Sequence, residues 1–181
     1  MTVFLDIETT SLKADVGFLI LAGFISEKEE KFFFVDSPFR EKEVLEEILN
    51  YLEKVKGGKI YVWNARFDIP FLISRCSKYN LDLKVFTKLK IFDLLSFSRE
   101  FLKLSSNRLD DVCMFFGIQK NVFVTGKMVQ NFYEEYLAGN QKRKQDIIEH
   151  CRDDLIGLKK FYEKFKELIN HWEKKSKNSL F

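Results

Sequence analysis

Three apolar stretches open the chain. VFLDIE (3–8), FLILAGFI (18–25) and KFFFVD (31–36) each have the length of a strand and are separated by brief polar connections, which predicts an antiparallel meander. The period then changes. In REKEVLEEILNYLEKVKGG, Val44, Leu45, Ile48, Leu49 and Leu52 recur at helical spacing until Gly57 and Gly58 stop the pattern. KIYVWN (59–64) reads as a fourth strand, and a helix follows through DIPFLISRCSKYN, whose Pro70 suits only a first helical turn. KIFDLL (90–95) reads as a fifth strand. Beyond it the patterns around LDDVCMFFG, KMVQNFYEEYLAG and the long segment starting at KRKQDIIEH are helical. Three strands followed by alternating helices and strands predict an α/β fold with a mixed five-stranded sheet and helices on both faces. No repeat, low-complexity tract or linker divides the chain, so one domain is expected across 1–181.

Within the first strand the pattern breaks in an informative way. Alternate strand residues share a face, so Val3, Leu5 and Ile7 point one way while Phe4, Asp6 and Glu8 point the other. Two carboxylates therefore stand side by side at the end of an apolar segment. Alone, such a pair is also what a strand running out into solvent looks like. Two later pieces add acids. NARFD places Asn64 at a strand end and Asp68 at a helix start, where an acid can bond free backbone amides. HCRDD places His150 and Asp154 four residues apart on one helical face, a spacing equally suited to a surface ion pair.

Composition narrows the setting. A hydrophobic fraction of 46% supports a packed globular protein, and a formal net charge of +3 is too small to signal nucleic-acid binding. Any phosphate recognition must be local. The lysine-rich stretch 159–177 interleaves acids at helical spacing and reads as a solvated face, and nothing in the spacing around Lys127 marks it as a phosphate contact. Cys76, Cys113 and Cys151 form an odd set without CxxC spacing, which disfavours disulfides and structural zinc and suits a reducing cytoplasm. The opening MTVFLD lacks the marks of a signal peptide, and FLILAGFI is too short to span a bilayer, so a cytoplasmic protein with no membrane partner is expected.

Taken together, these acids resemble the three exonuclease motifs of the ribonuclease-H-like DEDD superfamily. DIETTSL matches its first motif, D-x-E-T-T-G-L, except that Ser11 replaces glycine. Asn64, Phe67 and Asp68 match the second, and His150 with Asp154 matches the third. Members with tyrosine in that last motif usually leave three residues before the aspartate and members with histidine usually leave four; here histidine has the three-residue spacing. IIEHCRDDLIGL otherwise resembles the helix of B-family polymerase proofreading domains and their stand-alone relatives, and RLDDVCMFFGIQK resembles their L-x-x-V-x-x-x-x-G segment.

The resemblance implies a ribonuclease-H-like sheet and a 3′–5′ exonuclease acting on single-stranded DNA or RNA 3′ ends. It implies two Mg²⁺ or Mn²⁺ ions, with Asp6 bridging both, Glu8 and Asp154 completing one site and Asp68 serving the other. His150 would orient or deprotonate the attacking water. Thr9 and the backbone near Thr10 would hold the terminal nucleotide, Leu12 would wedge against a base, and Phe67 and Asn64 would lie nearby. Phe67 is equally suited to core packing and Asn64 to tying the strand end, while Asp93, after the fifth strand, is expected to be structural rather than a metal ligand. A catalytically silent nucleic-acid-binding module on the same fold is the alternative, and retention of all four acids speaks against it. The sequence names no protein partner.

Overall fold

The period-two run TVFLDIET forms β1 (Thr2–Thr9), and the next two apolar runs form β2 (Leu19–Ser26) and β3 (Glu30–Phe34). All three are antiparallel neighbours, with Asp6 opposite Gly23 in the β1–β2 register. After α1 (Glu41–Val55), β4 (Lys59–Val62) pairs parallel to β1; α2 (Ala65–Lys78) then leads to β5 (Lys90–Asp93), parallel to β4. The sheet order is β3-β2-β1-β4-β5. Short helices α3 (Leu94–Phe101) and α4 (Leu109–Phe115) precede α5 (Gly126–Leu137) and the 34-residue α6 (Lys142–Lys175). This computed structural model describes residues 1–120 and 126–175, the side chains of 126 and 127 excepted. Lys127 and Lys177 thus lie outside the described side chains.

The alternation in β1 sorts the molecule into two cores. Val3, Leu5 and Ile7 pack with Leu45, Ile48 and Leu52 of α1 and with Ile69 and Leu72 of α2. Phe4 faces the other way and packs with Val129 and Tyr133 of α5 and with Leu155, Phe161 and Tyr162 of α6. Helices therefore cover both faces, as the pattern predicts. Asp6 and Glu8 share the Phe4 side, beneath α6. Among the described residues, no helix is long and apolar enough to cross a membrane.

Two details differ from expectation or escape it. α2 begins at Ala65 rather than near Asp68, so Pro70 falls in its second turn. Its ring removes the amide that would bond the Arg66 carbonyl, and because both residues are exposed, water can take that place. The early start follows from Asn64, whose left-handed backbone (φ 76°) turns β4 directly into the helix. The second detail is Glu41, the first residue of α1, which is fully buried. It accepts from the Leu19 amide, Arg75 Nε and the Tyr79 hydroxyl, each at 2.8 Å, while Arg75 donates to the Ala14 carbonyl at 2.8 Å. A buried pair with its remaining bonding capacity satisfied in this way is tolerated, and it ties the β1–β2 connection to α1 and α2.

Asp93 is structural, as expected of it. One carboxylate oxygen accepts from the amides of Leu95 and Asn64, both at 3.0 Å, and the other accepts from the Ser96 hydroxyl at 3.0 Å. It caps α3 and fastens the β4–α2 turn in one stroke. Asp93→Ala is expected to cost about 1–2 kcal/mol, lowering the melting temperature by roughly 2–8 °C in a thermal melt.

Candidate active site

The register of the sheet opens a space for the acids. β4 pairs with β1 only from Thr2 to Phe4, so Asp6 and Glu8 extend beyond the last paired residue. α2 begins at that point and places the buried Asp68 within electrostatic reach of both. From the Phe4 side, α6 supplies His150, Cys151 and Asp154. His150 Nε2 lies 3.4 Å from Glu8 Oε1, and its Nδ1 lies 3.9 Å from Asp154 Oδ1. Donor atoms of Asp6, Glu8 and Cys151 all fall within 4.8 Å of one another. Five residues read from separate parts of the sequence, Asp6, Glu8, Asp68, His150 and Asp154, thus meet in one place.

Their electrostatics are those of a crowded, largely buried cluster of like charges. Burial, followed by the Asp154 charge, pushes Asp6 up to about 8, although the Cys151 thiol, Lys120 and the Ile7 backbone pull the other way. Glu8 is raised well above the usual range by burial and then by Asp6, Asp154 and Asp68. Asp68 is raised likewise, by burial and Asp6. Burial also raises Asp154, with His150 and Lys120 opposing it. Burial lowers His150, which favours the neutral imidazole. The Cys151 thiol is pushed well up by burial and by the neighbouring acids, so it stays protonated. Such a cluster calls for added positive charge, and its carboxylate oxygens are donors of the type that Mg²⁺ and Mn²⁺ prefer. The buried His150 Nδ1, which has no hydrogen-bond partner, is consistent with a site that is completed by something else.

Lys120 is the residue that reading the sequence missed. Its ammonium is nearly buried and bonds both Asp110 of α4 and Asp154 of α6. Its stem passes Gly157, where an added Cβ would come within 3.5 Å of the lysine Cδ and 3.2 Å of Cys113 Sγ. The one trace of this in the sequence is a glycine inside a helix, where propensity disfavours it.

Beside the acids, a cleft of about 350 Å³ is lined by Ile7, Glu8, the loop 9–12, Phe67 and Gln130. The Thr9 hydroxyl donates to the Ser11 carbonyl at 2.9 Å. Thr10 closes the hairpin: its amide donates to the Phe18 carbonyl and its hydroxyl accepts from the Phe18 amide, both at 3.0 Å. Ser11 is accommodated because Gly17 faces it; a Cβ on Gly17 would lie 2.6 Å from Ser11 Cβ. Leu12 is 79% exposed at this loop, and half-buried Phe67 meets Phe71 with ring centroids 5.7 Å apart. Asn64 is exposed at the turn, where its amide serves the Asp93 cap.

A mixed sheet of this order, with acids gathered around the part of β1 that runs on beyond its pairing with β4, defines a ribonuclease-H-like protein. The chain belongs to the RNase_H superfamily, whose sequence model matches residues 3–166. It is 30% identical over 89 residues to DNA polymerase III subunit epsilon of Buchnera aphidicola subsp. Acyrthosiphon pisum (strain APS), a match covering 49% of this chain and 36% of that protein. The chain also superposes on the family B DNA polymerase of the hyperthermophilic archaeon Pyrobaculum calidifontis with a TM-score of 0.78, over 91% of its own length and 24% of the polymerase. At 17% identity, that likeness concerns the fold.

Proposed function

We propose that this chain is a metal-dependent 3′–5′ exonuclease that hydrolyses phosphodiester bonds at single-stranded DNA or RNA ends. The observation that carries the reading is the convergence of Asp6, Glu8, Asp68 and Asp154, with His150 between Glu8 and Asp154. The relatedness to a polymerase epsilon subunit supports nuclease chemistry.

Asp6, Glu8, Asp68 and Asp154 would hold Mg²⁺ or Mn²⁺. When bound, such ions neutralise the acids, acidify water and stabilise the oxygen that leaves the phosphorus. The protein's own groups account for the rest. His150 stands as a neutral imidazole with a free Nδ1, able to take a proton from water beside the acids. The exposed Leu12 and half-buried Phe67 give the cleft an apolar lip on which a terminal base could stack without regard to its identity. Thr9 and Thr10 line the same cleft as Glu8, and on this reading they would hold the end nucleotide.

End-labelled single-stranded DNA and RNA, incubated side by side with Mg²⁺ or Mn²⁺, test the reading. Metal-dependent release of mononucleotides from the 3′ end is expected, and it should vanish in Asp6→Ala. Binding without release would instead favour a silent binding module, and release from the 5′ end would overturn the polarity.

Lys120 supplies the counter-charge that Asp154 keeps in the absence of metal. Lys120→Met retains the stem and removes the charge, leaving the acid cluster uncompensated. A loss of about 3 kcal/mol is expected in a chelator, and Mn²⁺ should restore much of it by replacing the missing positive charge. Paired thermal melts in chelator and in Mn²⁺ measure both effects.

A further inference from the structure

The loop 10–18 lines the cleft with Thr10, Ser11 and Leu12, yet the sheet does not fix its tilt. The β1–β2 ladder shifts register between Glu8 and Thr9, so the loop leaves an irregular strand end rather than a regular hairpin. Its apolar side chains give it little hold, since Leu12 and Val16 are 79% and 76% exposed and Ala14 is half-buried. Within the loop the bonds are local: the amides of Val16 and Gly17 both donate to the Lys13 carbonyl, at 3.2 and 2.8 Å. Its polar ties to the helices come from a buried ion pair. Arg75 Nη1 donates to the Ala14 carbonyl at 2.8 Å, and Glu41 Oε1 accepts from the Leu19 amide at 2.8 Å where the chain returns to the sheet.

Arg75 uses its other donors on Glu41. Its Nε donates to Oε1 at 2.8 Å and its Nη2 bonds Oε2, so the planar fork is clamped and the remaining nitrogen has one direction in which to point. As a source of stability such a pair is poor, because apolar residues of similar volume serve a buried position as well or better. What they cannot supply is a charged donor aimed at one backbone carbonyl. Arg75 also follows Asp68 by about two turns on α2, and so lies on the same side of that helix. One helix therefore carries both an acid of the cluster and the tether of the loop beside it.

We propose that Arg75, oriented by Glu41, is a positioning residue for the end nucleotide, holding the loop 10–18 where Thr10 and Leu12 meet the substrate. The effect on substrate rests on the exonuclease reading, whereas the hold on the loop does not. The acids stand on β1, α2 and α6, outside the loop. Loosening it should therefore weaken binding and spare the chemistry, which reads as a raised KM with kcat kept.

Two variants and two readouts test this. Arg75→Lys keeps the charge opposite Glu41 but lacks the fork that serves both carboxylate oxygens and the Ala14 carbonyl. The double variant Glu41→Gln, Arg75→Met leaves no charge of the pair buried alone, keeps an acceptor for the Leu19 amide and removes the donor to Ala14. Trypsin acting on the native chain reads the loop at exposed Lys13, and exposed Lys28, between β2 and β3, is the internal reference. General destabilisation speeds both cleavages, whereas a released loop speeds the one at Lys13. In both variants cleavage at Lys13 should rise roughly tenfold or more relative to Lys28, the fold-change that loss of a hydrogen bond from a charged group produces. On a single-stranded oligonucleotide with Mn²⁺, KM should rise about 10–100-fold, the scale of a small misplacement, with kcat kept within about threefold. An unchanged ratio of Lys13 to Lys28 cleavage overturns the hold on the loop. A raised ratio with KM unchanged, or with kcat lost instead, overturns the positioning role. A wild-type chain that releases no nucleotide defeats the exonuclease reading, and the trypsin ratio still decides whether Arg75 holds the loop.

Discussion

Asp6→Asn should give a protein that is more stable without metal and inactive with it. At pH 8 in a chelator, the wild-type chain holds a carboxyl whose native pKa is pushed up to about 8 from an ordinary 3.8. Between those values the unfolded chain sheds a proton that the native chain keeps, so native stability falls as pH rises through that window. Asparagine stays neutral and escapes this penalty. The gain is on the order of 5 kcal/mol at pH 8 and under about 2 kcal/mol at pH 5. In melting temperature that is roughly 10 °C or more at the higher pH. His150 works in the opposite direction, because its lowered pKa costs stability only below its ordinary value of 6.5; melts above that pH isolate the carboxylates. Hydrolysis should drop by on the order of 10³ or more, since removing even one donor aimed at developing charge costs about 10²–10³ in kcat. Mn²⁺ should raise the wild-type melting temperature and leave that of Asp6→Asn nearly unchanged. An Asp6→Asn protein that is less stable in chelator at pH 8 would mean that the acids do not repel one another as their placement requires.

His150→Ala should slow the single-turnover rate by roughly 10²–10⁴, the range for a positioned proton acceptor. The pH profile separates this role from simple packing. Burial lowers His150, so its base form is already dominant at pH 6.5 and the wild-type rate should be nearly flat from there to pH 9. With the imidazole gone, water must lose its proton to solvent hydroxide, and the rate should climb about tenfold per pH unit. His150→Gln is a stringent companion, because glutamine can orient a water but cannot take its proton. If His150→Ala kept full activity across pH 6–9 while Asp154→Ala lost it, the proton would have another acceptor.

The local periodicities carried much of this far without coordinates. Period two in VFLDIE put Asp6 and Glu8 on one face, and β1 has that alternation. Spacing of four put His150 and Asp154 on one side of α6, and both ring nitrogens now face acids, one on the same helix and one on β1. The five strands and the meander were equally legible, since each is announced by a short apolar run between polar connections. The second helix was less so. Its proline suggested a first turn near Asp68, while a left-handed Asn64 started the helix earlier, and no periodicity in side chains reports a single backbone angle.

What the sequence determined by itself was therefore the set of elements and the sides their residues occupy, because these follow from backbone repeats of two and 3.6 residues, while the choice of acids came from their resemblance, as a set, to the exonuclease motifs. Tertiary structure alone decided that Lys120 reaches Asp154 past Gly157, that Gly23 lets Cys151 down beside Asp6, and that Glu41 and Arg75 pair in the dark behind the loop carrying Leu12. Each of these depends on how far apart two elements pack and on where one crosses the other. Those distances are set by the sum of all side-chain volumes between them, and no short stretch of the chain contains that sum.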